Sequence, residues 1–364
     1  MTTREIANAL AAAARQFPLL GEIGVQDLLD VVKWELGHED ILDGFQPYAA
    51  HRAMAIGPRT ILHIISGNTP HAGLQSLMRG LLLKSRNLCK IPSTGLPEIV
   101  QFRDLLPDEL KALVEISSEL PLRWLDEAEA VIVFGGDATV ADFRRQKRTD
   151  QIFIAHGHKV SLGIIFEDAR YESVPHAARD ASLYDQQGCL SPHVFYVAGS
   201  GAMNAREYAE RLAVEMEKFN SATPRSAITP GEAAAINAVR ADYEFRGANG
   251  MDARVWKSER GTDWTVIFDA DARFIPSPLN RVIFVKPLPA HIDETLAPAR
   301  DFLSAIAIWP ATIENARIAA ALGATRVCEV GRMQEPKFTW HQDGGQNLAP
   351  LVRWIDFEGP PRPT

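Results

Sequence analysis

The sequence predicts an α/β protein with mainly parallel β-sheets, and two observations lead to this prediction. Short apolar runs that end in glycine or in polar residues alternate with segments of helical periodicity, and this alternation is typical of repeated β-α-β units. The chain also has 364 residues. One ordinary hydrophobic core does not extend over that length, so we expect two domains.

The first elements along the chain are helical. Residues 1–54 are predicted to form an N-terminal helical segment, because stretches such as "VQDLLDVVKWELG" place apolar residues at helical spacing. Residues 55–172 then alternate between strand and helix patterns, and we expect a first α/β domain there. The predicted strands of this domain are 59–67, 86–93, 129–136, 151–157 and 160–168. The predicted helices are 71–84, 97–117 with a break near Pro107, and a helix that begins near Asp137.

A second set of elements fills residues 173–335. It contains predicted strands at 193–199 and 325–331, further strands in "DARVWKS", "DWTVIFD" and "RVIFVKPL", and helices at 205–220 and 315–324. We therefore predict a second α/β domain, followed by a tail at 336–364. Parallel sheets bind ligands at the carboxyl ends of their strands, so polar residues that follow the strands are candidate site residues.

Composition excludes several classes of function. Hydrophobic residues make up 46% and charged residues 23% of the chain, which is typical of a globular protein. The formal charge of -8 and the lack of a dominant basic patch argue against a nucleic-acid partner. No apolar run approaches the roughly 20 residues that span a bilayer, and we see no signal-peptide pattern. The three cysteines are widely spaced, which argues against disulfides and zinc and favours a cytoplasmic location.

One of these cysteines has unusual neighbours. Cys189 lies between a glycine and a leucine in "YDQQGCLSP", and it is a candidate buried spectator, metal ligand or nucleophile. Spacing alone favours a small buried hydrophobe. The preceding glycine, however, permits close backbone approach by a substrate, and backbone N–H groups in such a loop can hold an oxyanion.

Polar and glycine residues also follow the predicted strands of the first domain: Ser66 and Asn68 in "ISGNTP", Lys90 and Ser93 in "CKIPS", and Gly135, Gly136 and Asp137 in "FGGDAT". The Asn68 amide could donate to a developing oxyanion or simply form a turn. Lys90 could meet a ribose or phosphate or remain a solvated charge. The glycine turn could receive a pyrophosphate at a helix N-terminus, although it lacks the GxGxxG pattern.

Taken together, "ISGNTP", "LCKIPS", "FGGDAT", "HGHKVS", "YDQQGCLSP" and "GRMQEP…WHQDG" resemble the LuxC-type acyl-CoA reductases of the aldehyde dehydrogenase superfamily. The resemblance extends over nearly the whole chain from about residue 55. It implies an aldehyde-dehydrogenase-like fold with a Rossmann-type NAD(P)-binding domain at 55–172, a catalytic domain at 173–335, and a tail at 336–364 that packs near the active site.

The resemblance also implies the reaction. It is the reduction of an acyl thioester, either acyl-CoA or an acyl-carrier thioester, to an aldehyde with NADPH or NADH. An acyl-transferase or acyl-protein synthetase is a candidate partner, and a homo-oligomer is the expected state. Alternatives are an NAD(P)-dependent aldehyde dehydrogenase that works oxidatively and a non-catalytic subunit of an acyl-transfer complex.

Residue roles follow from the resemblance by position. Cys189 matches the cysteine that becomes acylated, and Asn68 matches the asparagine that forms the oxyanion hole with the cysteine N–H. Lys90 matches the lysine that contacts the adenosine ribose or its 2′-phosphate. The cofactor-facing positions that the resemblance implies are Ser66, Lys90, Ser93, Gly135, Gly136 and Asp137. Many relatives have serine where this chain has Asp137, and a carboxylate beside a phosphate is unfavourable.

Several further residues are candidates for the same reaction. His341, with Asp343 nearby, is a candidate proton donor, and the alternative is a packing role in the tail. His158 is expected to line the cofactor groove. Glu329 is a candidate to contact the nicotinamide ribose, although the pattern alone favours a solvated or salt-bridged glutamate. His156 and His158 form an HxH pair, but no third ligand is evident, so no metal is predicted.

One departure from the superfamily pattern bears on mechanism. Oxidising aldehyde dehydrogenases carry a general-base glutamate where this chain has Ala155 in "AHGHK". Without that base, water is poorly activated to hydrolyse a thioester. An acyl-enzyme would then persist until a hydride or a thiol discharges it, as a thioester reductase requires.

Overall fold

The structure, a computed structural model, describes residues 1–67, 70–166, 171–199 and 203–359. Its β-strands are β1 (Gln46–Tyr48), β2 (His51–Ile56), β3 (Thr60–Ile64), β4 (Arg86–Lys90), β5 (Val114–Ser117), β6 (Ala130–Phe134), β7 (Ile152–His156), β8 (Val160–Ile165), β9 (Pro192–Val197), β10 (Ala253–Lys257), β11 (Thr265–Asp269), β12 (Val282–Pro287), β13 (Leu303–Trp309), β14 (Arg326–Glu329) and β15 (Arg353–Phe357). Its α-helices are α1 (Thr3–Ala14), α2 (Val25–Leu36), α3 (Pro70–Leu82), α4 (Pro97–Asp104), α5 (Asp108–Lys111), α6 (Leu122–Glu127), α7 (Asp137–Gln146), α8 (Ser173–Ser182), α9 (Ala205–Ala222), α10 (Pro230–Ala248), α11 (Ile292–Leu296) and α12 (Ile313–Ala321). Short 3₁₀ helices occur at Pro18–Leu20, Leu183–Gln186, Ala297–Phe302, Gln342–Gly344 and Ala349–Leu351.

The chain divides into two compact units. The first unit combines Met1–His158 with Lys337–Thr364, and the second is Lys159–Pro336. The sequence pattern predicts a division after residue 172, whereas the structure places it before β8. The reason is that β8 pairs with β9 and β13 of the second unit rather than with β7. The N-terminal segment and the tail, which the sequence analysis separated, both belong to the first unit.

The central sheet of the first unit has five parallel strands in the order β5-β4-β3-β6-β7. The chain runs from β3 outward through β4 to β5, and then returns to place β6 and β7 on the other side. The strand order therefore reverses between β3 and β6. In open parallel sheets, the crevice outside the carboxyl ends at such a reversal is the usual ligand site.

The two faces of this sheet pack into separate cores, because successive side chains of a strand point to opposite faces. Ile61 and Ile132 lie in the core that includes the buried faces of α1, α2 and α3. Leu62 and Val131 lie in the smaller core with Trp124 of α6, against which α7 side chains also pack. Helices thus cover both faces, which explains why the strands read as continuous apolar runs.

Several elements differ from the sequence prediction. Within residues 1–54, α1 and α2 are helical as expected, but β1 and β2 follow them and form an antiparallel sheet with β15. The predicted helix at 97–117 breaks as expected, but it ends in β5, which pairs with β4. The helix α10 was not predicted, although Thr229 and Glu232 form a capping box at its start.

The sheet of the second unit has seven strands in the order β10-β11-β12-β9-β8-β13-β14. All neighbouring strands are parallel except β10 and β11, which are antiparallel. The helix α8 and a 3₁₀ turn lead into β9, so the loop that carries Cys189 lies at the amino end of β9. The structure confirms the predicted α/β class with parallel sheets.

Among the described ranges, no helix is long and apolar enough to cross a membrane.

Candidate active site

Cys189 is exposed and lies in the loop between the Leu183–Gln186 turn and β9. Its neighbours Leu190 and Ser191 are buried. The Ser161 hydroxyl of β8 donates to the Cys189 carbonyl at 2.7 Å and accepts from the Ala305 N–H of β13 at 3.1 Å. The backbone of the loop is therefore fixed to two central strands, while the residue that carries the thiol is presented to solvent.

The turn before this loop has an uncommon backbone. Residues 184–186 have φ values of 52°, 52° and 62°, and residues 279–281, just before β12, have φ values of 65°, 56° and 63°. None of these six residues is glycine, and left-handed backbone costs such residues of order 1 kcal/mol or more each. Both turns persist only if surrounding contacts stabilise them.

These contacts join the two turns to each other. The Arg281 guanidinium lies 2.7 Å from the Asp185 carboxylate, and their side chains are 3% and 16% exposed. The Gln187 amide donates to Asn280 Oδ1 at 2.8 Å. The Gln186 amide donates to the carbonyl oxygens of residues 192 and 282 at 2.7 and 2.8 Å. We call this set of contacts the turn lock; it fixes the chain immediately before Cys189.

The other two cysteines have different surroundings. Cys89 is fully buried in β4, and Cys328 is half-buried in β14. Burial raises the pKa of both thiols to about 12, so neither is a thiolate near neutral pH. Of the three cysteines, Cys189 is the exposed one.

The cofactor candidates of the first unit follow neighbouring parallel strands. Ser66 comes after β3, Lys90 ends β4, Ser93 follows β4 in the next loop, and Gly135 follows β6. Because these strands are parallel, their carboxyl ends lie at one edge, on both sides of the strand-order reversal. Ser66 and Lys90 are half-buried, and Ser93 is exposed. Asn68 lies outside the described residues.

The Gly135–Gly136 turn leads directly into α7. Gly136 is the N-cap of this helix, with no side-chain cap hydrogen bond, and a Cβ placed on Gly136 would meet no heavy atom within 4 Å. The Asp137 carboxylate accepts the His158 N–H at 3.0 Å. This hydrogen bond comes from a neutral N–H group, so the carboxylate keeps its negative charge and still opposes a phosphate at this turn. The space at Gly136 is open, and the N–H groups in the first turn of α7 favour an anion.

The histidines are arranged differently from the sequence prediction. The sequence suggests a pairing of Asp343 with His341. In the structure, Asp343 Oδ2 lies 2.6 Å from Nδ1 of His156 instead. The His156 ring stacks on Phe134, with centroids 4.6 Å apart. His158 and His341 are exposed. The described residues contain no group of three side chains that could hold a metal ion.

Glu329 ends β14, at the carboxyl edge of the second sheet. The Cys189 loop lies at the amino edge of the same sheet, because Cys189 precedes the parallel strand β9. A strand such as β9, with six residues, spans about 20 Å. Glu329 and the thiol are therefore on opposite edges, and the structure gives no support to a contact by Glu329 with a group that reacts at Cys189.

Two features of the site were absent from the sequence prediction. The turn lock joins residues 185 and 187 to 281 and 280, which are 93 or more positions away in the chain. The His156–Asp343 pair joins residues 187 positions apart. Neither has a local pattern that a single sequence reveals, although "WHQDG" did mark the region of Asp343.

Comparison with known proteins gives the chain its family. The family model described as acyl-CoA reductase (LuxC) matches residues 5–354. Long-chain acyl-protein thioester reductase 2 of Photobacterium leiognathi is 24% identical over 349 residues, which cover 92% of this chain and 71% of that protein. Long-chain acyl-protein thioester reductase of Photorhabdus luminescens is 25% identical over 356 residues, with the same coverage.

Solved structures agree on the fold. The putative aldehyde dehydrogenase PutA from Anabaena variabilis matches with a TM-score of 0.65 and 15% identity, over 98% of this chain and 87% of that one. Aldehyde dehydrogenase 21 from Physcomitrella patens matches with a TM-score of 0.67 and 12% identity, over 98% and 85%. The aldehyde-dehydrogenase-like fold expected from the sequence is confirmed. The chain belongs to the acyl-CoA reductase (LuxC) family and is an oxidoreductase that acts on acyl or aldehyde groups.

Proposed function

We propose that this protein reduces an acyl thioester to an aldehyde through an acyl-enzyme on Cys189, with a nicotinamide cofactor as the hydride source. The observation that carries the proposal is the contrast among the cysteines. Cys189 is exposed on a loop that the turn lock fixes, whereas burial raises the pKa of the other two thiols. The names of the reductase relatives support an acyl thioester as substrate.

The proposed reaction has two stages. The Cys189 thiolate attacks the thioester carbonyl, the Asn68 amide and the Cys189 N–H stabilise the oxyanion, and the substrate thiolate departs with one proton taken up. His341 is the proposed donor of that proton, since its ring is exposed. A bound nicotinamide supplies a hydride to the acyl carbon. The resulting oxyanion collapses, releases the aldehyde and regenerates the Cys189 thiolate, so protons and electrons balance.

The cofactor proposal rests on the carboxyl edge of the first sheet. The uncapped start of α7 and the open space at Gly136 fit a pyrophosphate. Ser66, Ser93, Gly135 and His158 are proposed to line the same groove. Lys90 closes β4 beside it, and a cation there favours the 2′-phosphate of NADPH over NADH. Glu329 is left out of this proposal. It lies at the carboxyl edge of the second unit's sheet, whereas Cys189 lies at the amino edge of that sheet.

The identity of the acyl donor, its supplier and the assembly are also proposed, on the basis of the family resemblance. The acyl donor is an acyl-CoA or an acyl-carrier thioester, an acyl-transferase or acyl-protein synthetase is the proposed supplier, and the enzyme is proposed to be a homo-oligomer. Ala155 in place of a carboxylate base supports reduction rather than hydrolysis of the acyl-enzyme.

A product assay tests the proposed function. Octanoyl-CoA and myristoyl-CoA are incubated with NADPH or NADH, and the aldehyde is trapped as a hydrazone and identified by mass. We expect aldehyde from the wild type with NADPH preferred, no aldehyde from Cys189→Ala, and undiminished activity per folded molecule from the matched control Cys328→Ala. Aldehyde formation by Cys189→Ala at the wild-type rate would overturn the proposal.

A further inference from the structure

A cavity of about 240 Å³ lies within the first unit, between α3, the strands β6 and β7, and the tail. Its apolar wall consists of Ile132, Phe134, Ile154 and Leu351. Ile132, Phe134 and Ile154 belong to the core on the α1–α3 face of the sheet. The α7 side chains pack on the opposite face. The cavity is therefore distinct from the α7 turn proposed for the pyrophosphate.

A buried cation lines this cavity. Arg79 of α3 is 5% exposed, and no described carboxylate lies within ion-pair distance of it. Its Nη1 donates to Gln342 Oε1 at 2.9 Å and its Nη2 to the Phe338 carbonyl at 3.2 Å, while its Nε has no described partner. Burial lowers the pKa of Arg79 to about 10, and the more distant Glu35 charge raises it. Buried guanidinium groups are normally paired with an anion.

His156 also lines the cavity. Its Nδ1 is committed to Asp343, and its Nε2 has no hydrogen-bond partner among the described residues. The side chain is 16% exposed. The ring can therefore offer Nε2 to a ligand, and it donates from that atom when it is protonated.

The acidic groups around the cavity are already engaged. The Asp343 carboxylate is held by His156. The Glu35 carboxylate accepts the N–H groups of Asn347, Leu348 and Ala349 at 2.9, 2.5 and 3.2 Å. Among the described residues, no carboxylate pairs directly with Arg79, which is the cationic arginine of the cavity lining. An anion that enters the cavity would gain that interaction.

The cavity volume limits what can enter. An apolar cavity of about 150 Å³ holds benzene, so scaling by volume gives room for about ten non-hydrogen atoms. The surface of the wall is mostly apolar in area, although Ser76, Gln342, Gln346 and Asn347 also line it, and a mostly apolar surface is typical of small-molecule sites. A wholly apolar ligand would displace water from Arg79 and His156 without replacing its hydrogen bonds, which is unfavourable.

We propose that this cavity binds a medium-chain aliphatic carboxylate, with the carboxylate at Arg79 and His156 and the alkyl chain against Phe134 and its apolar neighbours. Octanoate has the ten non-hydrogen atoms that the volume allows. The cavity wall includes Ala155, the position where oxidising relatives carry the general base. The proposal concerns binding within the first unit and its measurement requires no turnover, so the Cys189→Ala protein can serve as the host.

Calorimetric titration tests the proposal with octanoate and the equally long but neutral octan-1-ol. We expect octanoate to bind at least about tenfold more tightly than octan-1-ol, because one hydrogen bond to a charged group contributes about that much binding free energy. Arg79→Met should lose about that factor, Arg79→Lys should retain part of the affinity, and His156→Gln should weaken octanoate but not octan-1-ol. Arg123→Met and His38→Gln, at exposed positions of the same unit, are matched controls and should bind octanoate like the parent.

Thermal melts establish which variants are folded, and Arg79→Lys and His156→Gln keep the test decisive if Arg79→Met does not fold. Equal affinity for octanoate and octan-1-ol would show that the cavity selects only apolar chains. Wild-type octanoate affinity in both Arg79 variants would place the ligand elsewhere. Either outcome, or no binding of octanoate at millimolar concentration, would overturn the proposal.

Discussion

Replacing Arg281 with methionine removes the charged half of the turn lock behind Cys189. The guanidinium is 2.7 Å from Asp185, donates to Asn220 Oδ1 and to the Thr223 carbonyl at 3.0 Å each, and lies over the Phe219 ring. Breaking a buried ion pair by removing one partner typically costs about 3–5 kcal/mol. Because Asp185 is 16% exposed and can regain some hydration, we expect about 3 kcal/mol.

For a domain the size of the second unit, that loss corresponds to a fall in Tm of about 6–12 °C. The left-handed turns would relax, so acylation of Cys189 by octanoyl-CoA should slow more than the variant's stability at the assay temperature explains. Urea unfolding and time-resolved intact mass measure the two effects. Lys257→Met, at an ion pair with Glu244 in which both side chains are exposed, is the matched control in the same unit. A cost below about 1 kcal/mol for Arg281→Met, with unchanged acylation, would refute the role of the turn lock, since surface ion pairs have that value.

Three further predictions follow from single residues. Asn68→Ala should lower kcat by about 10²–10³-fold with little change in cofactor affinity, and a fall within about threefold would leave Asn68 as a turn residue only. In the wild type, acyl-Cys189 should persist in buffer without cofactor. The Ala155→Glu variant should hydrolyse its acyl-enzyme faster, by up to about 10²–10⁴-fold if the carboxylate is well placed. Rapid loss of the acyl label from the wild type would mean that another base activates water. Burial raises the pKa of Asp180 from 3.8 to about 7, despite N–H donors from Gly331 and Met333, so the folded state holds more protons than the unfolded state between these values. The Asp180 contribution to stability should therefore fall as pH rises from about 4 to 7, and the difference between wild type and Asp180→Asn in urea unfolding should change across that range; a difference that is constant with pH would contradict the raised pKa.

The sequence predicted the central strands well because their physical signal is local. The strand β6 is buried on both faces and forms a continuous apolar run that ends at two glycines. The buried strands β3 and β4 are apolar except for the strand ends and for His63 and Asn87, whose side chains bond to each other. The strands β1 and β15 carry no such signal, because most of their residues are exposed or half-exposed.

The boundary between the units was misplaced for a related reason. The strand β8 follows β7 after only three residues, and both are short apolar runs, so the sequence offers no sign that β8 joins another sheet. Its partners β9 and β13 are distant in the chain. Pairing at that distance is a property of the packed fold rather than of local pattern.

The residues of the candidate site also differ in whether a local sequence pattern reveals them. Cys189 and the glycine turn before α7 were identifiable because they lie within compact motifs. The Arg281–Asp185 and His156–Asp343 pairs were not, because each joins two segments that become neighbours only after folding. The role expected for Glu329 stays a prediction, and its strand direction places it at the opposite edge of the sheet from Cys189.

In the proposed mechanism, the acyl group of the substrate is held on Cys189 and leaves as an aldehyde. The most direct measurement is a single-turnover chase on one sample. The enzyme is acylated with octanoyl-CoA, freed of excess substrate and divided into two portions, of which one is mapped by peptide mass and the other is mixed with NADPH. We predict that the label lies on the Cys189 peptide and that NADPH releases it as octanal in one equivalent. Label on another residue, or its release as octanoic acid at a rate independent of NADPH, would contradict the account.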